Sequence, residues 1–265
     1  MAAAYLRGTV EAPRYAEGVV RRLAKPVSDL CASPDGPRDR QLLRGEAVTV
    51  YDDHAGWSFV QAEDGYVGYV ASARLAELAP PTHRVATFAT HAYRDDDLKS
   101  AEVAALPFGA RVRVSDERRT FYETDAGLVP KPHLRPLDRP FTDPATIAQL
   151  HYNVPYLWGG NSTRGIDCSG LVSAAFRACG IDCPADSDVQ RAGLGDVLPP
   201  GAALTRGDLV FWPGHVGMMV DAETLLHANA HHMAVRYEPL ATAVARIAAQ
   251  GGGDVLCCKR VARAA

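Results

Sequence analysis

The sequence predicts an α+β protein in which two small N-terminal β-barrels precede a C-terminal domain of helices and strands. Short runs of β-branched and aromatic residues fill the first half of the chain, and a proline-rich segment at 130–140 follows them. Beyond that segment, helical patterns come before strand patterns, which is typical of an α+β domain. We therefore expect an N-terminal segment and first barrel over 1–80, a second, degenerate barrel with its linker over 81–140, and the α+β domain over 141–265.

The composition is that of a globular protein and carries no signature of nucleic-acid binding or membrane insertion. Apolar residues make up 47% of the 265 residues and charged residues 22%, which excludes a disordered or collagen-like chain. The formal net charge is −3, and the sequence has no basic stripe of the kind that binds nucleic acid. No apolar run approaches the roughly 18–20 residues that a membrane span needs.

The N-terminus and the cysteines predict a cytoplasmic protein. Residues 1–7 carry no lysine or arginine ahead of a short apolar stretch, unlike a secretory signal. The six cysteines lack the spacing of a disulfide framework, and Cys257 and Cys258 are adjacent. We expect a reducing compartment in which every cysteine except Cys168 is a small buried hydrophobic residue.

The first barrel is predicted from short strands around one tight turn. Residues 48–51 alternate between apolar and polar side chains, and two aromatic-rich runs at 57–61 and 66–70 flank an Asp-Gly turn at 64–65. Several such strands in so short a stretch predict a small barrel. Residues 1–25 are predicted to be helical or irregular.

The second barrel is predicted from a weaker version of the same pattern. Candidate strands lie at 84–88, 110–114 and 120–124, and residues 125–127 supply a turn. The proline-rich segment that follows is predicted to be a linker.

The C-terminal part is predicted to begin with helices and continue as an antiparallel sheet. Asp143 and Pro144 can start a helix that runs to about His151. From Cys168 onward apolar residues recur at helical spacing, and Gly180 suits the residue after the helix end. Three strand-type runs follow, at 208–212, 215–220 and 225–229. A Pro-Gly turn connects the first two of these runs.

One cysteine and two histidines form a candidate catalytic set. Cys168 lies where a loop becomes a helix, and free backbone N–H groups with the helix dipole lower a thiol pKa at such a position. His215 begins one strand and His227 lies within the next, so neighbouring antiparallel strands can place both rings on one face. A nucleophilic thiol needs a base, and the base needs an orienting partner. The sequence therefore predicts Cys168 as nucleophile, His215 as base and His227 as orienter.

Two other interpretations of these residues remain open. Taken singly, a cysteine at a helix start or a histidine on a strand is usually structural, and only the joint pattern favours catalysis. A zinc site is also conceivable, because His227, His231 and His232 lie close together in sequence. No CxxC or HxxxH spacing supports a metal, and His231 and His232 would point to opposite faces of a strand. We therefore predict no metal and no cofactor.

Five short blocks in the C-terminal part carry a family resemblance. They are Pro155-Tyr-Leu-Trp-Gly-Gly160, Asp167-Cys-Ser-Gly170, Gly207-Asp-Leu-Val-Phe211, Gly214-His-Val-Gly217 and His227-Ala228. In this order and spacing they resemble the signature blocks of NlpC-type cysteine peptidases of bacterial cell-wall peptides. The sequences around Trp57 and at 65–69 resemble bacterial SH3-like domains. The whole layout resembles the cytoplasmic γ-D-glutamyl-L-diamino-acid endopeptidases that recycle such peptides.

The resemblance implies a papain-like fold and roles for residues near the nucleophile. Tyr156 would place its hydroxyl near the oxyanion, where the backbone N–H of Cys168 can be a second donor. Trp158 would form a wall of the substrate groove, and Asp167 and Ser169 would hold the D-glutamyl portion. As purely structural residues, Tyr156 would be a half-buried aromatic and Trp158 a loop anchor.

The resemblance further implies recognition of a free N-terminal amine by Asp186, Glu46 and Tyr66, with the first barrel closing one end of the groove. A buried ammonium needs carboxylate partners, because leaving it unpaired is costly. Each residue also has a structural interpretation: Asp186 as a helix N-cap, Glu46 as a surface charge, and Tyr66 as barrel core with Tyr69 in the groove instead.

We therefore expect a cysteine endopeptidase that cuts the γ-D-Glu–diamino-acid bond of peptidoglycan stem peptides with a free L-Ala, with such peptides as its partners. The alternatives are an amidase or acyltransferase that uses the same Cys–His pair, and a non-catalytic wall-binding protein that works through its SH3-like domains.

Overall fold

The computed structural model describes residues 2–262 and divides between Leu137 and Asp138 into two compact units. Within residues 2–262 the first unit holds only strands and short 3-10 helices, whereas all α-helices lie in the second. No helix in this range is long and apolar enough to cross a membrane. The α+β composition predicted from the sequence is therefore confirmed, with the helices confined to the C-terminal unit.

The N-terminal part of the first unit forms a seven-stranded antiparallel sheet. Two short strands precede it and pair in parallel, β1 (Ala2–Ala3) and β2 (Tyr15–Ala16). The sheet strands are β3 (Val19–Leu23), β4 (Val27–Cys31), β5 (Arg38–Leu43), β6 (Ala47–His54), β7 (Trp57–Ala62), β8 (Val67–Ala71) and β9 (Leu75–Ala76). Their order is β5-β4-β8-β7-β6-β3-β9. Buried side chains from several strands, such as Leu23, Leu30 and Val60, form one hydrophobic core.

The hairpin predicted in this sheet is confirmed, and one expectation beside it is wrong. β7 and β8 pair antiparallel around the Asp-Gly turn, where Gly65 takes a φ of +86° that side-chain-bearing residues rarely adopt. Residues 1–25, expected to be helical or irregular, end in β3, which pairs with both β6 and β9. Arg21 and Arg22 interrupt the apolar run of β3, which hides the strand in the sequence.

The rest of the first unit forms two smaller sheets. The strands are β10 (His83–Val85), β11 (Ala89–Tyr93), β12 (Glu102–Pro107), β13 (Arg111–Val112), β14 (Val114–Glu117), β15 (Phe121–Thr124), β16 (Gly127–Pro130) and β17 (Leu134–Pro136). One sheet has the order β12-β11-β16-β15-β14 and the other β13-β10-β17. A separate core that includes Val85, Leu106 and Val129 packs between them.

The proline-rich segment is not simply a linker. Its residues Lys131–His133 form a 3-10 turn, and β17 then pairs with β10 through Arg84 and Arg135. The segment therefore completes a sheet before the chain leaves the unit. The prediction of a linker is therefore wrong for Leu134–Pro136, because prolines are compatible with short strands that pair along one edge.

The second unit packs helices against a six-stranded antiparallel sheet. The helices are α1 (Pro144–Gln149), α2 (Cys168–Ala178), α3 (Ser187–Gly193) and α4 (Leu240–Ala249). The short pair β18 (Asn161–Ser162) and β19 (Gly165–Ile166) precedes α2. The sheet strands are β20 (Asp196–Val197), β21 (Leu209–Trp212), β22 (His215–Met219), β23 (Thr224–Asn229), β24 (Ala234–Pro239) and β25 (Cys257–Arg260). Their order is β20-β25-β21-β22-β23-β24, and α2 lies against β22 and β23.

The helices and strands predicted around the candidate site are confirmed. The Asp143 side chain caps α1 by accepting the Ala145 N–H at 3.2 Å. Gly180 follows α2 with a φ of +75°, as a helix-ending glycine does. The turn between β21 and β22 places Gly214 at a φ of +66°. Together these elements bring the start of α2 against the start of β22.

Candidate active site

The carboxylate of Asp167 fixes the start of α2, where Cys168 is the first helical residue. It accepts the N–H groups of Gly170 at 2.7 Å and Gly159 at 2.9 Å, and the Ser169 hydroxyl at 3.1 Å. One side chain thus satisfies an orphan N–H of the helix and ties down the preceding loop. Cys168 is therefore buried at a capped helix N-terminus.

Gly170 serves helix packing. The sequence predicts that small residues after the cysteine leave room for a substrate. A Cβ at this position would lie 2.4 Å from the carbonyl oxygen of Gly160, so the first turn of α2 packs directly on the loop backbone. The glycine therefore allows the helix start to approach that loop, which is a structural reason for its small size.

The structure brings the three predicted catalytic residues together. The backbone N–H of Val216 donates a hydrogen bond to the Cys168 thiol, so the sulfur lies beside the first residues of β22. The Nε2 atom of His215 lies 2.9 Å from Nδ1 of His227, and the ring centroids are 5.1 Å apart. His227 is fully buried, and its Nε2 lies 3.0 Å from an oxygen of Glu238. The thiol therefore lies beside the strand that begins with His215, and His215 is linked to His227, an arrangement suited to moving a proton away from sulfur; we call these three residues the catalytic row.

Burial keeps the members of this row uncharged. It raises the pKa of Cys168 to about 12, and the negative charge of Asp167 adds to that rise although backbone N–H groups oppose it. Burial also lowers the pKa of His215 to about 3 and that of His227 to about 4. The expectation that the helix start lowers the thiol pKa is therefore wrong, because desolvation outweighs the N–H groups. Burial therefore favours a neutral thiol and a neutral imidazole in the resting enzyme.

Sequence comparison assigns families to both units. Residues 153–248 match the NlpC/P60 family, and residues 30–75 match the family described as the bacterial dipeptidyl-peptidase Sh3 domain. The C-terminal unit is an NlpC/P60 cysteine peptidase domain. The NlpC/P60 match spans all three residues of the row, and an SH3-like domain precedes it.

Two curated proteins from Bacillus align with most of this chain. A γ-D-glutamyl-L-lysine dipeptidyl-peptidase of Bacillus cereus is 25% identical over 246 residues, which cover 77% of this chain and 71% of the relative. Its counterpart from Bacillus subtilis is 28% identical and covers 71% of each chain. The crystal structure of an NlpC/P60 family protein from Bacillus cereus has a TM-score of 0.78 at 19% identity and covers 92% of this chain and 99% of that one, which shows a shared fold.

The other residues predicted near the nucleophile occupy different environments in the NlpC/P60 domain. Tyr156 is half-buried, and burial, followed by its electrostatic interactions with Cys168 and Asp167, raises its pKa to about 12, so it lies near both residues. Trp158 is 70% exposed in the loop before α2. The Ser169 hydroxyl donates to the Asp167 carboxylate, which caps the helix. Their roles toward a substrate stay predictions.

The three residues predicted to recognise an amine are spread over both units. Asp186 is the exposed N-cap residue of α3, and its side chain makes no capping hydrogen bond. Glu46 is buried in the first unit, where it accepts the N–H of Leu43 at 2.9 Å. Tyr66 packs on the core of that unit, with the Arg40 guanidinium 5.5 Å from its ring centre. Their part in binding an amine stays a prediction.

The sequence did not point to two charged residues that continue the row formed by Cys168, His215 and His227. Glu238 on β24 contacts His227, and Arg246 on α4 binds that carboxylate. In the sequence, Glu238 precedes Arg246 by eight residues, with a helix-starting proline between them. Such a pair by itself resembles an ordinary surface ion pair. Only the pairing of β23 with β24 places this carboxylate behind His227.

The pH dependence of the NlpC/P60 activity should follow the lowered histidine pKa values. A protonated His215 cannot accept the thiol proton, so the activity should decrease when the pH drops below the pKa of His215. Burial lowers that pKa from 6.5 to about 3. We expect kcat/KM to keep its neutral value down to about pH 5. Rates measured from pH 3.5 to 8 after a jump from neutral buffer test this.

Tryptophan fluorescence at each pH is the control for unfolding. Histidines buried in neutral form bind protons more readily once unfolded, so stability declines as the pH falls below 6.5. An acidic limb centred near pH 6.5 in protein that is still folded would contradict the assignment of a buried, neutral base.

Proposed function

We propose that this peptidase acts on peptidoglycan stem peptides that begin with a free L-Ala. It hydrolyses the amide bond that joins the γ-carboxyl group of D-glutamate to the L-diamino acid. The observation that carries the proposal is the Cys168–His215–His227 row inside an NlpC/P60 domain that follows an SH3-like domain. Two relatives that align with 77% and 71% of this chain are named γ-D-glutamyl-L-lysine dipeptidyl-peptidases, which supports this substrate class. We further propose a cytoplasmic location, a papain-like catalytic fold, and a second SH3-like barrel in residues 81–137.

The reaction starts from the neutral thiol–imidazole pair. As the Cys168 sulfur attacks the γ-carbonyl carbon, its proton passes to the free ring nitrogen of His215. The carbonyl oxygen becomes an oxyanion, which the Tyr156 hydroxyl and the Cys168 backbone N–H stabilise. Collapse expels the diamino acid, whose amine takes the proton from His215, and leaves a thioester on Cys168.

Deacylation repeats the same proton transfers in reverse order. His215 takes a proton from water as the water oxygen attacks the thioester carbonyl. The second tetrahedral intermediate then releases L-Ala-γ-D-Glu, and His215 returns the proton to the Cys168 sulfur. His227 stays neutral throughout and keeps the His215 ring oriented.

Mass spectrometry of the products from L-Ala-γ-D-Glu-diaminopimelate tests the proposal. We expect two products, the dipeptide L-Ala-γ-D-Glu and free diaminopimelate. N-acetylating the L-Ala should block cleavage, because an acetamide cannot replace the ammonium that pairs with a carboxylate. Equal cleavage of both peptides would contradict the free-amine requirement but not the peptidase assignment.

Asp186 is the carboxylate of the catalytic unit that we propose to pair with this amine. Asp186→Asn should raise KM for the free tripeptide by roughly tenfold or more, since a hydrogen bond to a charged group is lost. Asp188→Asn is the matched control, because Asp188 lies two residues away, is exposed and accepts its neighbour's N–H. Identical KM values for the two variants would remove Asp186 from the site.

A further inference from the structure

A buried ion pair lies behind the second histidine. Glu238 is only 6% exposed, and its Oε2 lies 3.0 Å from Nε2 of His227. Arg246 binds both oxygens of this carboxylate: its Nε donates to Oε1 at 2.9 Å and its Nη2 donates to Oε2 at 2.7 Å. This is the two-pronged geometry in which a guanidinium holds a carboxylate most firmly.

The ion pair fixes the ionisation state of the carboxyl group. The bonded Arg246 keeps the pKa of Glu238 below its usual value. An ionised carboxylate has only acceptor sites, so the atom of His227 that faces it has to be a donor. Nε2 of His227 therefore carries the hydrogen.

The hydrogen on His227 determines where the hydrogen sits on His215. A neutral imidazole has one N–H, so Nδ1 of His227 is an acceptor. The nitrogen that lies 2.9 Å from it, Nε2 of His215, must then donate. Nδ1 of His215 therefore carries no hydrogen, and its lone pair can accept the thiol proton of Cys168.

We propose that Glu238, clamped by Arg246, is a positioning residue that sets the tautomers of both histidines and so keeps Nδ1 of His215 free as the base. This rests on the catalytic assignment of Cys168 and His215 in the proposed function. When the thiol proton moves from sulfur to Nδ1, His215 becomes an imidazolium that still donates through Nε2. No proton crosses to His227 or to the carboxylate.

The amide isostere of Glu238 should disturb this arrangement. A glutamine has one acceptor oxygen and one donor NH2, whereas the carboxylate accepts from both His227 and Arg246. Where the NH2 group takes the place of Oε2, it faces His227 and needs Nε2 as acceptor, which moves the hydrogen to Nδ1. His215 would then have to accept at Nε2 and carry its hydrogen on Nδ1, where it blocks the base.

Nitrogen NMR of the full chain with ¹⁵N-labelled histidine measures these tautomers directly. In the unmodified protein at neutral pH we expect both His215 and His227 to be protonated at Nε2 and bare at Nδ1. In Glu238→Gln we expect Nδ1–H forms of both rings, and kcat lower by about 10- to 100-fold with KM nearly unchanged. Glu223→Gln makes the same chemical change at an exposed site of the same unit and should alter neither quantity.

Arg246→Lys is a second variant that retains the cation but loses the two-pronged contact, and we expect a smaller fall in kcat. The spectrum of the unmodified protein keeps the test decisive even where a variant fails to fold. Finding the hydrogen on Nδ1 of either ring there would overturn the proposal. A folded Glu238→Gln protein with Nδ1–H forms of both rings but unchanged kcat would overturn it as well. If the tautomers are as expected but Cys168→Ala remains active, the proposed function fails while the tautomer assignment stands.

Discussion

Replacing Cys168 with alanine is expected to lower kcat by about five orders of magnitude and to leave the fold intact. The sulfur forms the bond to the acyl group, and a methyl group cannot. The cap of α2 does not depend on it, because the carboxylate of Asp167 supplies the hydrogen bonds at the helix start. Alanine is also the residue that favours a helix most.

Cys179→Ala is the matched control for this variant. Cys179 lies at the other end of α2 and is 6% exposed, against 8% for Cys168, so both changes remove one buried sulfur from the same helix. Each should cost roughly 1 kcal/mol of stability. Turnover of the tripeptide, followed by mass spectrometry, should vanish only in Cys168→Ala, while thermal melts of both remain cooperative. Near-normal turnover by Cys168→Ala would remove the nucleophile assignment.

The elements around the nucleophile could be predicted because each has a local signal. Helix α2 has apolar residues at helical spacing, an aspartate before its start and Gly180 after its end. β21 and β22 are short apolar runs joined by a two-residue turn. The contact of His215 with His227 follows from the pairing of consecutive antiparallel strands, so it could be predicted from the sequence.

Features that depend on distant pairing or on burial had no such signal. The contact of Glu238 with His227 arises from the register of β23 and β24, in which Arg236 and not Glu238 is directly opposite His227. A glutamate near an arginine is most often a solvated pair, and only the surrounding core shows otherwise. The raised pKa of Cys168 has the same origin, because desolvation depends on what covers the thiol.

The β-rich half was harder to predict for a different reason. In β11, with the sequence Ala-Thr-His-Ala-Tyr, the two inward residues are Thr90 and Ala92, so no large apolar side chain marks the strand. In β17, with the sequence Leu-Arg-Pro, the paired Arg135 is followed directly by Pro136, so the strand resembles a linker. These strands are stabilised by partners far along the chain, and local propensity is weak evidence for such elements.

The second large effect is expected at the histidines, where His215→Ala should lower kcat more than His227→Ala. His215 accepts and returns a proton in both halves of the reaction, so its loss should lower kcat by about 10⁴-fold. His227 orients that ring and touches no reacting atom, so its loss should cost about 10²-fold. A water molecule can also bond Nε2 of His215 in the space that His227 leaves, which preserves part of the base function.

His227→Asn sharpens the comparison, because its side-chain oxygen can accept the His215 Nε2–H without needing a proton of its own. It should recover part of the activity that His227→Ala loses, whereas His215→Asn should recover none, since an amide is not a base. The measurements are kcat and KM of all four variants on the free tripeptide, with circular dichroism to confirm folding, because His227 is fully buried and its truncation leaves a cavity. Equal residual kcat values for His215→Ala and His227→Ala would show that His227 takes part in proton transfer itself. His227 would then become an imidazolium that donates to the Glu238 carboxylate, which lies 3.0 Å from its Nε2.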